Sequence, residues 1–191
     1  MKIVLMRHGK PEIDLHKKLN QKYNMRELIN MLRKYENCNL SENETPDELS
    51  INISKQCNIC VCSNLLRSIQ SAKLLGIDQP IIDKLFHELR VPNLVWPSPQ
   101  LSMRTWIYFY FGIWLLGYSK ESESVREIRN RATIASKKLI KLAEENESIL
   151  FVGHGVINRF IGRALLKKGW QRPKKREESY WDFVVYEKSD Y

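Results

Sequence analysis

Apolar residues fall along the chain in two alternating rhythms. Short runs over residues 2–6, 59–62 and 149–152 (Ile3-Val4-Leu5-Met6, Ile59-Cys60-Val61-Cys62, Ile149-Leu150-Phe151-Val152) are unbroken and too brief for helices, so they predict strands buried on both faces. Residues 180–186, rich in aromatic and β-branched side chains, predict a fourth strand. Between the runs the period lengthens. Leu19, Tyr23, Leu28, Leu32 and Tyr35 predict a helix over 19–35, and residues 41–50 an acidic loop or short helix around Pro46. Leu65, Leu66, Ile69, Ala72 and Leu75 predict a helix capped by Ser63 or Asn64 and stopped at Gly76. Ser124 and Glu127 form a capping box for a helix through about residue 145, with Ile128, Ala132, Ala135, Leu139 and Leu142 on its inner side. Residues 155–168 give another helix. The rhythm breaks over 89–118, where Pro92, Pro97 and Pro99 lead into an aromatic run, so residues 89–120 are expected to form a cap or excursion. Strands alternating with helices, with no solenoid-period repeat, predict an α/β layered fold and a single domain over 1–191.

Composition narrows this little. The 191 residues, 43% hydrophobic, suffice for one core. With 31 basic and 22 acidic residues the net charge is +9, which favours anionic partners of any kind. Its location changes the picture: the segment Arg163–Arg176 holds seven cations and no acid, leaving +2 for the rest of the chain. Only Trp170 interrupts those cations, so the interleaved aromatics of a nucleic-acid surface are missing and no nucleic acid is expected. The most apolar stretch, Trp106–Leu116, spans eleven residues and cannot cross a bilayer; no membrane partner is expected. The opening residues lack a signal-peptide pattern, which predicts a cytoplasmic protein. Cys57, Cys60 and Cys62 crowd together, but no second Cys/His pair stands at finger-like spacing, so they read as structural and no metal is expected.

In parallel sheets ligands bind beyond the carboxyl ends of the strands. Two strands here end alike, in Met6-Arg7-His8-Gly9 and Val152-Gly153-His154-Gly155, each histidine followed by a glycine that permits close backbone approach. A third ends at Ser63, with Arg67 one turn into the next helix. Arg7, His8, Arg67 and His154 would therefore face one cavity. Two guanidinium forks suit phosphate oxygens, and a neutral imidazole can attack phosphorus to give a phosphohistidine without metal. His16 and His87 lack such placement and read as surface or packing residues, although His87 could line the pocket.

The ordered set Arg7-His8-Gly9, Ser63-Asn64-Leu65-Leu66-Arg67-Ser68 with Ser71-Ala72, and Gly153-His154-Gly155 resembles the histidine phosphatase superfamily, which includes the cofactor-dependent phosphoglycerate mutases. The resemblance implies a three-layer α/β/α sandwich with a mostly parallel sheet. It makes His8 the nucleophile, Arg7 and Arg67 phosphate clamps and His154 a further phosphate ligand. It also points to Glu88, in Phe86-His87-Glu88-Leu89-Arg90, as the proton donor, with Asp83 as the rival. Two departures weigh against a mutase: Lys10-Pro11-Glu12-Ile13 replaces the polar residues usual there, and residues 92–118 are aromatic where mutases carry a polar substrate loop. The expectation is a histidine acid phosphatase-type phosphomonoesterase, without cofactor, acting on a small anionic phosphorylated substrate in a partly apolar pocket. Phosphoryl transfer of the mutase kind, or a non-catalytic phospholigand-binding module, are the alternatives.

Overall fold

The structure is a computed structural model describing residues 1–91, 93–94, 96–172 and 179–188. The chain opens with β1 (Lys2–Arg7), a single turn α1 (Leu15–Lys18), β2 (Lys22–Tyr23), α2 (Met25–Glu36) and α3 (Glu48–Lys55). β3 (Ile59–Ser63), α4 (Leu66–Leu74), β4 (Ile81–Asp83), β5 (Leu101–Ser102) and α5 (Met103–Leu115) follow. It closes with α6 (Val125–Asn146), β6 (Ser148–Gly153), α7 (Gly155–Leu166) and β7 (Phe183–Glu187).

The strands form a five-stranded sheet in the order β4-β3-β6-β1-β7, with β7 alone antiparallel. Alternation along β1 explains its unbroken apolar run. Ile3 and Leu5 join the core beneath α6 and α7 with Ile128, Leu139, Ile157 and Ile161. Val4 and Met6 point the other way, into the core with Cys60, Cys62, Ala72 and Leu75 under α4. Helices on both faces make the three-layer α/β/α sandwich expected from the sequence.

The expected helix over 19–35 divides. Asn24 starts α2 afresh with a capping box, its side chain accepting from the Glu27 N–H at 2.9 Å while Glu27 accepts from the Asn24 N–H at 2.8 Å. Lys22 and Tyr23 instead pair with Leu101 and Ser102. Within 41–50, helix begins only after Asp47, which accepts from the Ser50 N–H. Ser63 does not cap α4: its hydroxyl accepts from the Leu65 N–H, and Leu65 holds the cap position without a side-chain bond. β4 was invisible to periodicity, because Ile81 and Ile82 lie on an exposed sheet edge. β7 starts at Phe183 rather than Tyr180, after a turn in which Trp181 has φ 65°.

The irregular segment supplies α5, which packs Met103, Trp106 and Tyr110 against Met25, Leu28 and Ile29 of α2. The segment expected at 89–120 therefore shares a hydrophobic cluster with α2. Among the described residues no helix is long and apolar enough to cross a membrane.

Candidate active site

Parallel pairing places Arg7 opposite Gly153, so β1 and β6 end level and deliver His8 and His154 to the same rim. The His8 N–H bonds the Gly153 carbonyl at 3.0 Å, and the two imidazoles lie 5.0 Å apart between ring centres. Both are 1% exposed.

The His8 ring has a defined tautomer. Nδ1 lies 2.6 Å from the Gly9 carbonyl, which can only accept, so Nδ1 carries the proton. Nε2 receives the Arg67 Nε–H at 3.2 Å and must present a lone pair. Burial first, then the positive charges of Arg67 and Arg7, hold His8 well below the ordinary imidazole range, against the opposing Gly9 bond. Desolvation is the larger cause.

Arg67, 1% exposed, donates through Nη1 to the Tyr35 and Glu36 carbonyls at 3.1 and 2.9 Å and lies 4.6 Å over the Tyr35 ring. No carboxylate pairs with it among the described residues, so a buried cation stands beside the His8 lone pair in want of an anion. Arg7 lies 4.4 Å over the Tyr180 ring. Neither ring nitrogen of His154 has a hydrogen-bond partner among the described residues, and its N–H would suit a phosphate oxygen. Burial, then His8 and the nearby arginines, also hold His154 well below the ordinary range.

Glu88 does two things. It lines the cleft with Arg7, His8 and Arg67, and it caps α7 from a distant part of the chain. Its carboxylate accepts from the Val156 and Ile157 N–H groups at 3.0 Å and from the Leu89 N–H at 2.9 Å. Asp83 lies apart on β4, bound to Lys138 at 2.6 Å, and does not line the cleft. Although burial pushes its pKa up, bonds from the Leu85 N–H and Lys138 bring it below the usual value. Of the two carboxylates the sequence offered, only Glu88 lines the cleft.

The two glycines differ. A Cβ at Gly9 would stand 2.5 Å from the Trp181 ring, whereas at Gly155 it would meet only Arg7 Nε at 3.8 Å. The expected close approach holds at Gly9 and fails at Gly155. The backbone there is further tied by the Gly9 N–H to Ser71 Oγ at 2.9 Å.

The sequence reading missed Tyr35, Tyr180 and Glu36. Tyr180 sits 5.9 Å from the His8 ring, with its hydroxyl buried and unpartnered. Glu36 binds Arg90 at 2.7 Å and His87 at 3.3 Å. None carries a motif; only the fold brings them in. His87 lines the cleft, and so does the exposed His16, which meets Tyr180 edge-on at 5.6 Å. Of the basic segment, Arg163 and Arg172 line a separate cavity of about 410 Å³ that also borders Arg7 and Arg159. Lys174, Lys175 and Arg176 lie outside the described residues. The cysteines are free thiols; burial raises Cys60 strongly and Cys62 to about 11. No trio of His, Cys, Asp or Glu able to hold a metal ion occurs among the described residues.

A mostly parallel α/β/α sandwich with a neutral histidine and two arginines at the carboxyl end of its first strands defines the class. The family profile "Histidine phosphatase superfamily (branch 1)" matches residues 50–187, and the chain belongs to that superfamily. The match begins after Arg7-His8-Gly9, so the placement of those residues rests on the geometry above. Comparison with curated protein sequences gives no match. Among solved structures the fold is similar to a phosphoserine phosphatase of Entamoeba histolytica in complex with 3-phosphoglyceric acid (TM-score 0.63, 15% identity, 96% of this chain and 89% of that one). It is also similar to a functionally characterised open reading frame product of Mycobacterium tuberculosis (0.61, 20%, 96% and 89%). A third is a mycobacterial glucosyl-3-phosphoglycerate phosphatase (0.54, 16%, 87% and 79%).

Proposed function

We propose that the chain is a metal-independent phosphomonoesterase working through a phosphohistidine at His8. One observation carries the reading: the Nδ1–H tautomer turns the His8 Nε2 lone pair into a pocket walled by the unpaired cation of Arg67 and the unpartnered imidazole of His154. Arg7, Arg67 and His154 hold the phosphate oxygens as charge shifts in the transition state. Arg67 turns its Nε–H from Nε2 to a phosphate oxygen, the freed lone pair forms the Nε2–P bond in line as the P–O bond to the alcohol breaks, and Glu88 gives its proton to the leaving oxygen. Water then attacks phosphorus, Glu88 takes its proton, the N–P bond breaks and phosphate departs. Hydrolysis rather than mutase transfer is the reading supported by the largely apolar walls that α5 and α2 give the cleft. We read residues 89–120 with α2 as a cap over the site. A cytoplasmic setting belongs to this reading and is supported by the four free thiols.

The test is His8→Ala with p-nitrophenyl phosphate. Turnover should fall by at least about 10³-fold; wild-type turnover in the variant would exclude the mechanism. If instead the unaltered protein binds phosphate tightly and turns over no phosphomonoester in a broad panel, the chain is a binding module.

A further inference from the structure

The cleft that holds the phosphate cluster measures about 770 Å³ in all, and away from the cluster it is walled by Leu15, Leu28, Leu32, Ile107, Phe111 and Trp114. Resting on the phosphatase reading, we infer that the alcohol half of the substrate is an apolar chain, so that the enzyme hydrolyses amphiphilic alkyl- or prenyl-type phosphomonoesters.

Along the α5 wall the polar ends of the aromatic side chains are occupied elsewhere. On α5, Tyr110 donates its hydroxyl to the Leu94 carbonyl at 2.8 Å, and Trp114 donates its indole N–H to the Glu123 carbonyl at 2.7 Å. Both aromatics thus spend their polar ends on backbone and leave ring surface to the cleft. At the mouth, Glu36 is engaged by Arg90 and His87, and Asn93 donates to Glu121 at 2.7 Å. A sugar or glycerate seated along this wall would give up hydrogen bonds to water without replacing them. Arg33, Arg90 and Arg159 also line the cleft and are all exposed, so a second charge on a ligand would be met by solvated side chains rather than by a buried clamp.

The wall is also under-covered. Ile107 is 42% and Phe111 54% exposed although both face the cleft, and α5 has a single charged residue, Arg104. A chain lying in the cleft would cover these side chains, and its phosphate end would fall among Arg7, His8 and Arg67. Continuity between the apolar wall and the phosphate pocket fixes the occupant as one molecule carrying both chemistries.

The experiment compares kcat/KM for n-alkyl phosphates from butyl to octyl, below their micelle concentrations, with glycerol phosphate, phosphoserine and 3-phosphoglycerate. Each added methylene should raise kcat/KM by about two- to fourfold, and Ile107→Ser and Phe111→Ser, both at partly exposed positions, should flatten that rise. No dependence on chain length, preference for the hydroxylated or carboxylated esters, or an undiminished slope in both variants would overturn the inference while leaving the phosphatase reading intact. Absence of turnover with every ester would instead defeat the phosphatase reading. Calorimetric titration of octyl phosphate against inorganic phosphate then decides: tighter octyl phosphate binding supports the apolar site, and equal affinity overturns it.

Discussion

His8 is held between two bonds of opposite sense, giving a proton to the Gly9 carbonyl and receiving one from Arg67. This arrangement keeps Nε2 unprotonated, as the proposed nucleophile must be. Glu88→Gln tests the proposed acid: hydrolysis of an alkyl phosphate, whose leaving group is a poor one, should slow by about 10²–10⁴-fold, and that of p-nitrophenyl phosphate far less. Equal losses on the two substrates would remove Glu88 from that role. The glycines give a second contrast. Gly9→Ala drives a Cβ into Trp181 and should lower stability by about 1–3 kcal/mol in urea titration, while Gly155→Ala should be tolerated. The Arg7, His8, Arg67 and His154 constellation was legible because His8 and His154 directly follow strands, Arg7 ends one, and Arg67 stands one turn after another. Gly155 was over-read, since a His-Gly pair looks the same whether or not anything approaches the glycine.

At the scale of elements, α2 and α7 each hold one charged side chain of the cleft in place. The last carbonyls of α2, from Tyr35 and Glu36, orient Arg67, and the first N–H groups of α7 orient Glu88. Breaking the α2 capping box with Asn24→Ala should cost about 1 kcal/mol, seen as a lower urea midpoint; no change would mean the box is not what starts this helix. Here the sequence was harder to read. Asn24-x-x-Glu27 is a start signal lying inside a longer stretch of helical periodicity, and periodicity alone carries the helix across it. Glu88 capping α7 joins residues 68 or 69 positions apart, beyond any local pattern. The short edge strand β4 lacks the buried run that marked the inner strands.

Across the whole molecule, two buried neutral histidines link stability to pH. Both His8 and His154 have folded-state pKa values lowered from their unfolded value of about 6.5. Below that pH the unfolded chain binds more protons than the folded one, so stability falls as pH drops, by up to about 1.4 kcal/mol per unit for each histidine, and is flat with respect to these groups above about 7.5. Urea titrations at pH 8, 6 and 5 should show this loss, and His154→Asn should reduce the slope; a slope unaffected by that change would contradict the assignment. The layered architecture was readable from strand runs and helical spacing, because the sandwich buries its strands on both faces. The apolar cleft was only half visible, since its walls combine α2 with α5 across a long gap in sequence. The most direct test of the account is a rapid quench of the protein with phosphorus-labelled phosphomonoester, followed by peptide mapping under alkaline conditions. An acid-labile phosphoryl group on the peptide carrying His8, forming and decaying as fast as turnover, is the predicted result; hydrolysis at full rate with no label on that peptide would contradict it.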